Sequence, residues 1–309
     1  MMKNLQIDNS QFHIPTAWAD LSTDQFLHVA ELATTIMSRA EWHVAMLLRV
    51  TGLRVLHKCE LKLSDETYFY LRHGITKEFL LRDKDMRFVT ETFNFMFEKV
   101  EPTEPEASTS SASDTDEAYR LNFNCIHNRV GEIPSPYGLL HGPADGLSNI
   151  LYSEYIHAET AWDKFKRTGK YIFAVRLAAI LFRPQDESYN ANSVNCSGDP
   201  RETFNDFLLD ARMNKLITVE RRYINAVLMY YEGCRRFVRS KWPEVFNESS
   251  SASGSTARVD VFTEFMKQVN SLSENDVTRL DKVRQSYLYE VMFTLQAIIV
   301  ENNKLKTKT

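Results

Sequence analysis

The stretch Gly142–Pro184 constrains this chain more than any other. It reads as a capped amphipathic helix opening at Leu147-Ser148-Asn149 and running through Tyr155, Ala158 and Trp162. A short basic break follows, then an apolar helix, Tyr171–Phe182, stopped at Arg183-Pro184. A proline disfavours helical backbone at the residue before it, so the stop is sharp. Two such helices must bury their apolar faces against further elements, which predicts a mainly α, helical-bundle fold.

Composition agrees. With 43% hydrophobic and 25% charged residues in 309, the chain has the balance of a globular protein long enough for two domains. Only 10 Gly and 9 Pro beside 19 Phe and 13 Tyr argue against a turn-dense β protein. A net charge of −4 supplies no global drive toward nucleic acid or acidic membranes. Cys59, Cys125, Cys196 and Cys234 form no Cys-x-x-Cys pair, so reduced thiols in a cytoplasm are expected rather than disulfides or structural zinc. The N-terminus carries no signal-like apolar core, and the longest apolar run falls far short of the roughly 20 residues of a membrane span.

Two segments break the globular pattern. Residues 101–117 are acidic and rich in Ser, Thr and Pro, and residues 248–256 are Ser-rich. Neither offers enough apolar surface to offset ordering entropy, so both read as flexible linkers, with a phosphoregulated tail as the functional alternative. They divide the chain into a mostly helical region 1–100, a central helical domain 118–247 and a C-terminal helical segment 257–309. In the first region, Ser22 and Gln25 make a capping box before Phe26, Val29, Ala30 and Ala33 at helical spacing. A second helix over Glu41–Val50 meets Gly52 as its C-cap. Alternation at 55–63 and 119–126 leaves room for a small β element pairing the two segments, and Ser64-Asp65-Glu66 reads as the cap of a short helix. Phe88–Phe97 fits a buried helix or a strand equally. Helices near Phe204–Met213 and Val219–Trp242 follow, then a start at Ser273–Asp276. A final helix carries Tyr287, Val291, Phe293, Leu295 and Ile298 on an apolar surface that needs a partner.

Few constellations suggest chemistry. Glu154 and His157 form a Glu-x-x-His pair on a helix, as in di-iron carboxylate bundles, but a second pair and two further Glu are missing. These two are the weak metal candidates, and a metal-dependent enzyme built on them is the alternative function. No phosphate-cradling glycine loop, nucleophile elbow or persuasive cysteine nucleophile occurs, so no catalytic residue and no cofactor is assigned. Arg221, Arg222, Arg235, Arg236 and Arg239, with Trp242 and interleaved tyrosines, lie on one expected helix. Arginines among aromatics can bind phosphates and stack on bases, yet their stems also cover apolar surface. A protein-contacting face is the preferred reading, and nucleic acid the alternative.

Ile14-Pro15-Thr16-Ala17-Trp18 followed by Leu21–Phe26 resembles the entry of small proteins encoded by Bacteroidales prophages and tailed phages. Gly142–Leu147 through Ala179–Pro184, and Arg201-Glu202-Thr203-Phe204 before an aromatic helix, look like the same group. The resemblance covers about half the chain. It implies a non-enzymatic helical protein of the phage tail region, comparable to tail assembly chaperones. Its expected partners are tail proteins or further copies of itself, in the host-cell cytoplasm or with the virion.

Overall fold

The computed structural model describes residues 2–7, 10–35, 38–61, 66–75, 77–82, 91–99, 119–192, 198–246 and 260–306. Both expected linkers, at 101–117 and 248–256, lie outside the described residues. The chain forms two compact units, Met1–Asn124 and Cys125–Thr309. The strand-like segment at 119 belongs with the first, and the C-terminal helices with the central ones in the second.

The first unit mixes helix and sheet. Strands β1 (Met2–Ile7) and β2 (Ser10–Pro15) pair as an antiparallel hairpin, with Met2 opposite Pro15. Helix α1 (Thr23–Leu32) starts on the expected capping box, Ser22 Oγ accepting from Gln25 N and Gln25 Oε1 from Ser22 N. Helix α2 (Arg39–Thr51) carries a second box, Ser38 with Glu41, and stops at Gly52, whose φ of 68° is left-handed. Strands β3 (Leu53–Leu61), β4 (Glu66–His73) and β5 (Lys77–Arg82) form an antiparallel meander in that order. Phe26, Val29, Met46, Leu47, Leu71 and Phe93 are buried as its core.

Two expectations fail here. No short helix runs on from Glu66: the run Thr67-Tyr68-Phe69-Tyr70 is aromatic and β-branched and forms strand β4, which pairs with β3. The segment near 119 does not pair with the one near 55 either. Phe88–Phe97 resolves into a 3-10 turn, Glu91–Met96, and strand β6 (Phe97–Lys99), residues 88–90 lying outside the described set. Strand β7 (Tyr119–Leu121) pairs with β6. Arg120 faces Glu98 across that pair as an ion pair, and the Arg39 guanidinium lies 3.8 Å from the Tyr119 ring centre and 5.7 Å from that of Phe97. One cation thus grips both strands.

Among its described residues the second unit is helical apart from isolated bridges and a hairpin, β8 (Glu132–Ser135) with β9 (Gly138–His141). Helices α3 (Tyr152–Thr168) and α4 (Tyr171–Leu181) are the two that open the sequence argument. Then come α5 (Leu209–Leu216), α6 (Arg221–Lys241), the short α7 (Pro243–Phe246), α8 (Val261–Leu272), α9 (Leu280–Gln285) and α10 (Leu288–Lys306). A mainly α class therefore holds, with small antiparallel sheets beside the helices. Among the described residues no helix is long and apolar enough to cross a membrane.

The first of these helices does not begin at Leu147-Ser148-Asn149. Gly146 and Leu147 have φ of 64° and 61°, left-handed backbone that cannot continue into a helix, and they close a 3-10 turn, Asp145–Leu147. Gly146 N donates to Ile126 O, and the Tyr289 hydroxyl donates to Gly146 O at 2.6 Å. Helix α3 starts at Tyr152 with no side-chain cap. Its Tyr152 N–H instead donates to Ser286 O, while Leu288 N donates to Ile150 O.

A Cβ on Gly146 would lie 2.9 Å from the Tyr289 hydroxyl, on backbone already left-handed. Gly146→Ala is expected to destabilise this unit by about 2 kcal/mol in denaturant titration. Gly169→Ala, at the left-handed end of α3 with open space around it, should cost about 1 kcal/mol.

Burial, with the nearby Arg39 charge, holds the His43 imidazole down to about 4 from its ordinary 6.5. The folded first unit therefore keeps His43 neutral where the unfolded chain takes up a proton. That contribution to stability is complete above pH 6.5 and is lost as pH falls toward 4. The slope should approach about 1.4 kcal/mol per pH unit, and His43→Phe should flatten it in acid titrations of stability.

Candidate functional site

Helix α3 carries three polar side chains that the sequence places among apolar ones: Glu154, His157 and Glu159. Glu154 and Glu159 are buried at 1% and 2% exposure. An isolated carboxylate cannot be buried so deeply without partners, since desolvation costs several kcal/mol per ion. Both have them.

Glu154 lies between two arginines brought in by the chain beyond α4. Arg183 Nη1 is 2.9 Å from Glu154 Oε2, and its Nη2 donates to Oε1 at 3.1 Å. Arg201 Nη1 reaches Oε2 at 3.4 Å, while its Nε and Nη2 fork onto both Asp199 oxygens at 2.8 and 2.7 Å. Further donors go to backbone carbonyls, Arg183 Nη1 to Ile180 O and Arg201 to Leu181 O and Asn149 O, while Arg183 Nε is buried without a hydrogen-bond partner among the described residues. Backbone pairing delivers these arginines. Arg183 exchanges hydrogen bonds with His141, and Gln185 bridges Arg201. Burial pulls the Arg183 guanidinium below its ordinary range. Burial opposes Arg201 too, but Asp199 and Glu154 together outweigh it and hold Arg201 above. Arg201 has two carboxylates where Arg183 shares one.

Glu159 makes a second cluster toward α6. Its Oε1 accepts from the Tyr231 hydroxyl at 2.9 Å, Arg235 Nε lies at 2.7 and 3.0 Å from its two oxygens, and Arg239 Nη2 is at 3.6 Å. Burial and the Glu159 charge push the Tyr231 hydroxyl far up, so it stays a neutral donor.

The two metal candidates part company in this arrangement. Glu154 faces a cavity of about 300 Å³ with Arg183, Arg201 and Asp199 on its wall. His157 stands between the rings of Phe204 and Phe262, at 5.3 and 5.7 Å, and lines a different cavity of about 530 Å³. Burial lowers its affinity for a proton. With both Glu154 oxygens engaged by guanidinium groups, a cation there would meet two positive charges. No group of three or more His, Cys, Asp or Glu among the described residues is placed to hold a metal ion.

The arginine series on α6 does not form one basic face. Arg235 and Arg239 turn inward onto Glu159, and Arg236 pairs with Glu232 at 3.3 Å. Arg222 meets Glu220 at 2.8 Å, and the Arg221 guanidinium lies 4.9 Å from the Tyr171 ring centre. Trp242 is buried against Tyr289, ring centres 4.8 Å apart, rather than offered to a partner.

Sequence reasoning missed Glu159, Arg183, Asp199 and Arg201. The available signal was the apolar stripe of α3, Tyr155, Ala158 and Trp162, which Glu154 and Glu159 flank on either side. A carboxylate on a buried stripe demands a cation from elsewhere in the chain.

Comparisons with protein-family models, with curated proteins and with solved structures find no match for this chain. The second unit is mainly helical and holds two buried ion clusters, one around Glu154 and one around Glu159.

Removing one partner from such a cluster leaves uncompensated buried charge. Glu154→Gln is expected to cost about 3 kcal/mol or more in chemical denaturation. Disrupting the exposed Arg49–Asp24 pair, 2.7 Å apart, by Arg49→Met should cost under about 1 kcal/mol.

Proposed function

We propose that this chain is a non-enzymatic helical protein of a phage or prophage tail region, acting through protein–protein contacts with tail subunits or with copies of itself. The observation that carries the reading is the exposed large apolar side chains of α10. Val291, Met292 and Leu295 are buried, whereas Phe293 is 71% exposed, Leu305 60% and Ile298 42%. Large apolar side chains held in water along one helix are what a partner surface would cover. The charged groups support the same reading by elimination. Glu154 is committed to Arg183 and Arg201, which weakens the metal-enzyme alternative. Arg235 and Arg239 are committed to Glu159, which weakens the nucleic-acid alternative.

Affinity capture of the full chain from phage-producing cells is the test. Tail or tape-measure proteins, or a second copy of the chain, are expected in the eluate. Phe293→Asp, at an exposed position that spares the fold, should reduce capture by roughly tenfold or more. A stable monomer that retains no tail component overturns the proposal. DNA binding that weakens steeply with salt would favour the Arg221–Lys241 helix instead.

A further inference from the structure

The cavity of about 530 Å³ beside His157 has a composition that none of the structural clusters accounts for. Its floor is apolar, built from Ile156, Phe204, Phe262 and Met266. Its charged groups are Asp206, Asp281 and Arg284. Arg284 Nη1 faces Asp281 at 3.6 Å, and its Nη2 lies 3.5 Å from the Met266 sulfur. These two charges compensate each other. Asp206 has no ion-pair partner among the described residues, so the lining carries one net negative charge; the Arg183 guanidinium already lies 5.8 Å from the Phe204 ring centre, whereas no cation is placed against Phe262 among the described residues. Aromatic faces and an uncompensated carboxylate over an apolar floor select a cation on an apolar stem. Asp206 opens a 3-10 turn, Asp206–Leu208, whose next residue, Phe207, is 91% exposed. An exposed aromatic beside a charged cavity is the pattern of an anchor and its pocket at a protein contact.

We infer that this cavity receives a lysine or arginine side chain of a partner protein, its stem over Met266 and Ile156 and its charged head between Asp206 and the Phe262 ring. The inference deepens the assembly reading and rests on it for the source of the side chain. Its test needs only the isolated full chain. Acetyl-Gly-Arg-Gly-amide and its citrulline counterpart, which keeps the shape without the charge, are titrated against the protein and followed by NMR of the Phe204, Phe262 and His157 rings. The arginine peptide is expected to bind at least about fivefold tighter, with shifts confined to those rings. Asp206→Asn, an exposed substitution, should remove that preference while leaving the circular dichroism spectrum unchanged. Equal affinity for the two peptides, or no saturable shift with either, overturns the inference. Because no tail protein takes part, failure here is separate from failure of the capture experiment.

Discussion

The second unit depends on the burial of Glu154 between Arg183 and Arg201. Left without a cation, that carboxylate would cost several kcal/mol, and so would Arg183, whose ion pair is with Glu154 alone, if the carboxylate were removed. The three therefore order one another. The same guanidinium groups solve a second problem. Helix α4 ends at Leu181, and the carbonyls of Ile180 and Leu181 have lost their intrahelical partners there. Arg183 and Arg201 donate to them, placing positive charge where the helix dipole favours it. A single ion cluster thus neutralises α3, caps α4 and fixes the return of the chain after Pro184.

Glu159 extends the arrangement to another side of α3. Five residues separate it from Glu154, a rotation of roughly 140° around the helix axis. One carboxylate is held by the chain after α4 and the other by Tyr231, Arg235 and Arg239 of α6. Buried ion pairs contribute less to net stability than well-packed apolar residues, but they penalise any rotation or slip of α3 that would strand a charge. What they contribute to this unit is a defined seat for its central helix.

Local signals in the sequence proved legible where one residue decides the outcome. Ser22 and Gln25, Gly52, and the stop before Pro184 all act through hydrogen bonds or sterics within a few positions, and each is present. The start of α3 was not legible, because its first amide is satisfied by Ser286 from far along the chain and Leu147 is held left-handed by a turn. Strand pairing near 119 was equally hidden, since alternation marks a strand without naming its neighbour, and Arg39 and Glu98 supply the choice. For the candidate site, the sequence placed Glu154 and His157 on one helix correctly but joined them in one role. Three residues on a helix put side chains on neighbouring lines, and packing by Phe204 and Phe262 then turned His157 to a separate cavity.

The start of α10 is pinned to the same core. Leu288 N donates to Ile150 O beside the first turn of α3, and Tyr289 reaches the Gly146 carbonyl. Beyond Leu295 burial falls off: none of residues 296–305 is buried. A helical segment of that length is marginal in water on propensity alone, and Ile298, Ile299 and Val300 add β-branching that lowers it further. The second half of α10 consequently has the most to gain from a covering surface. Apolar burial there would convert a weakly held extension into a fixed one, while the pinned first half keeps it aimed. That division of one helix into an anchored root and an uncovered apolar extension is the physical basis for reading this chain as a component of an assembly.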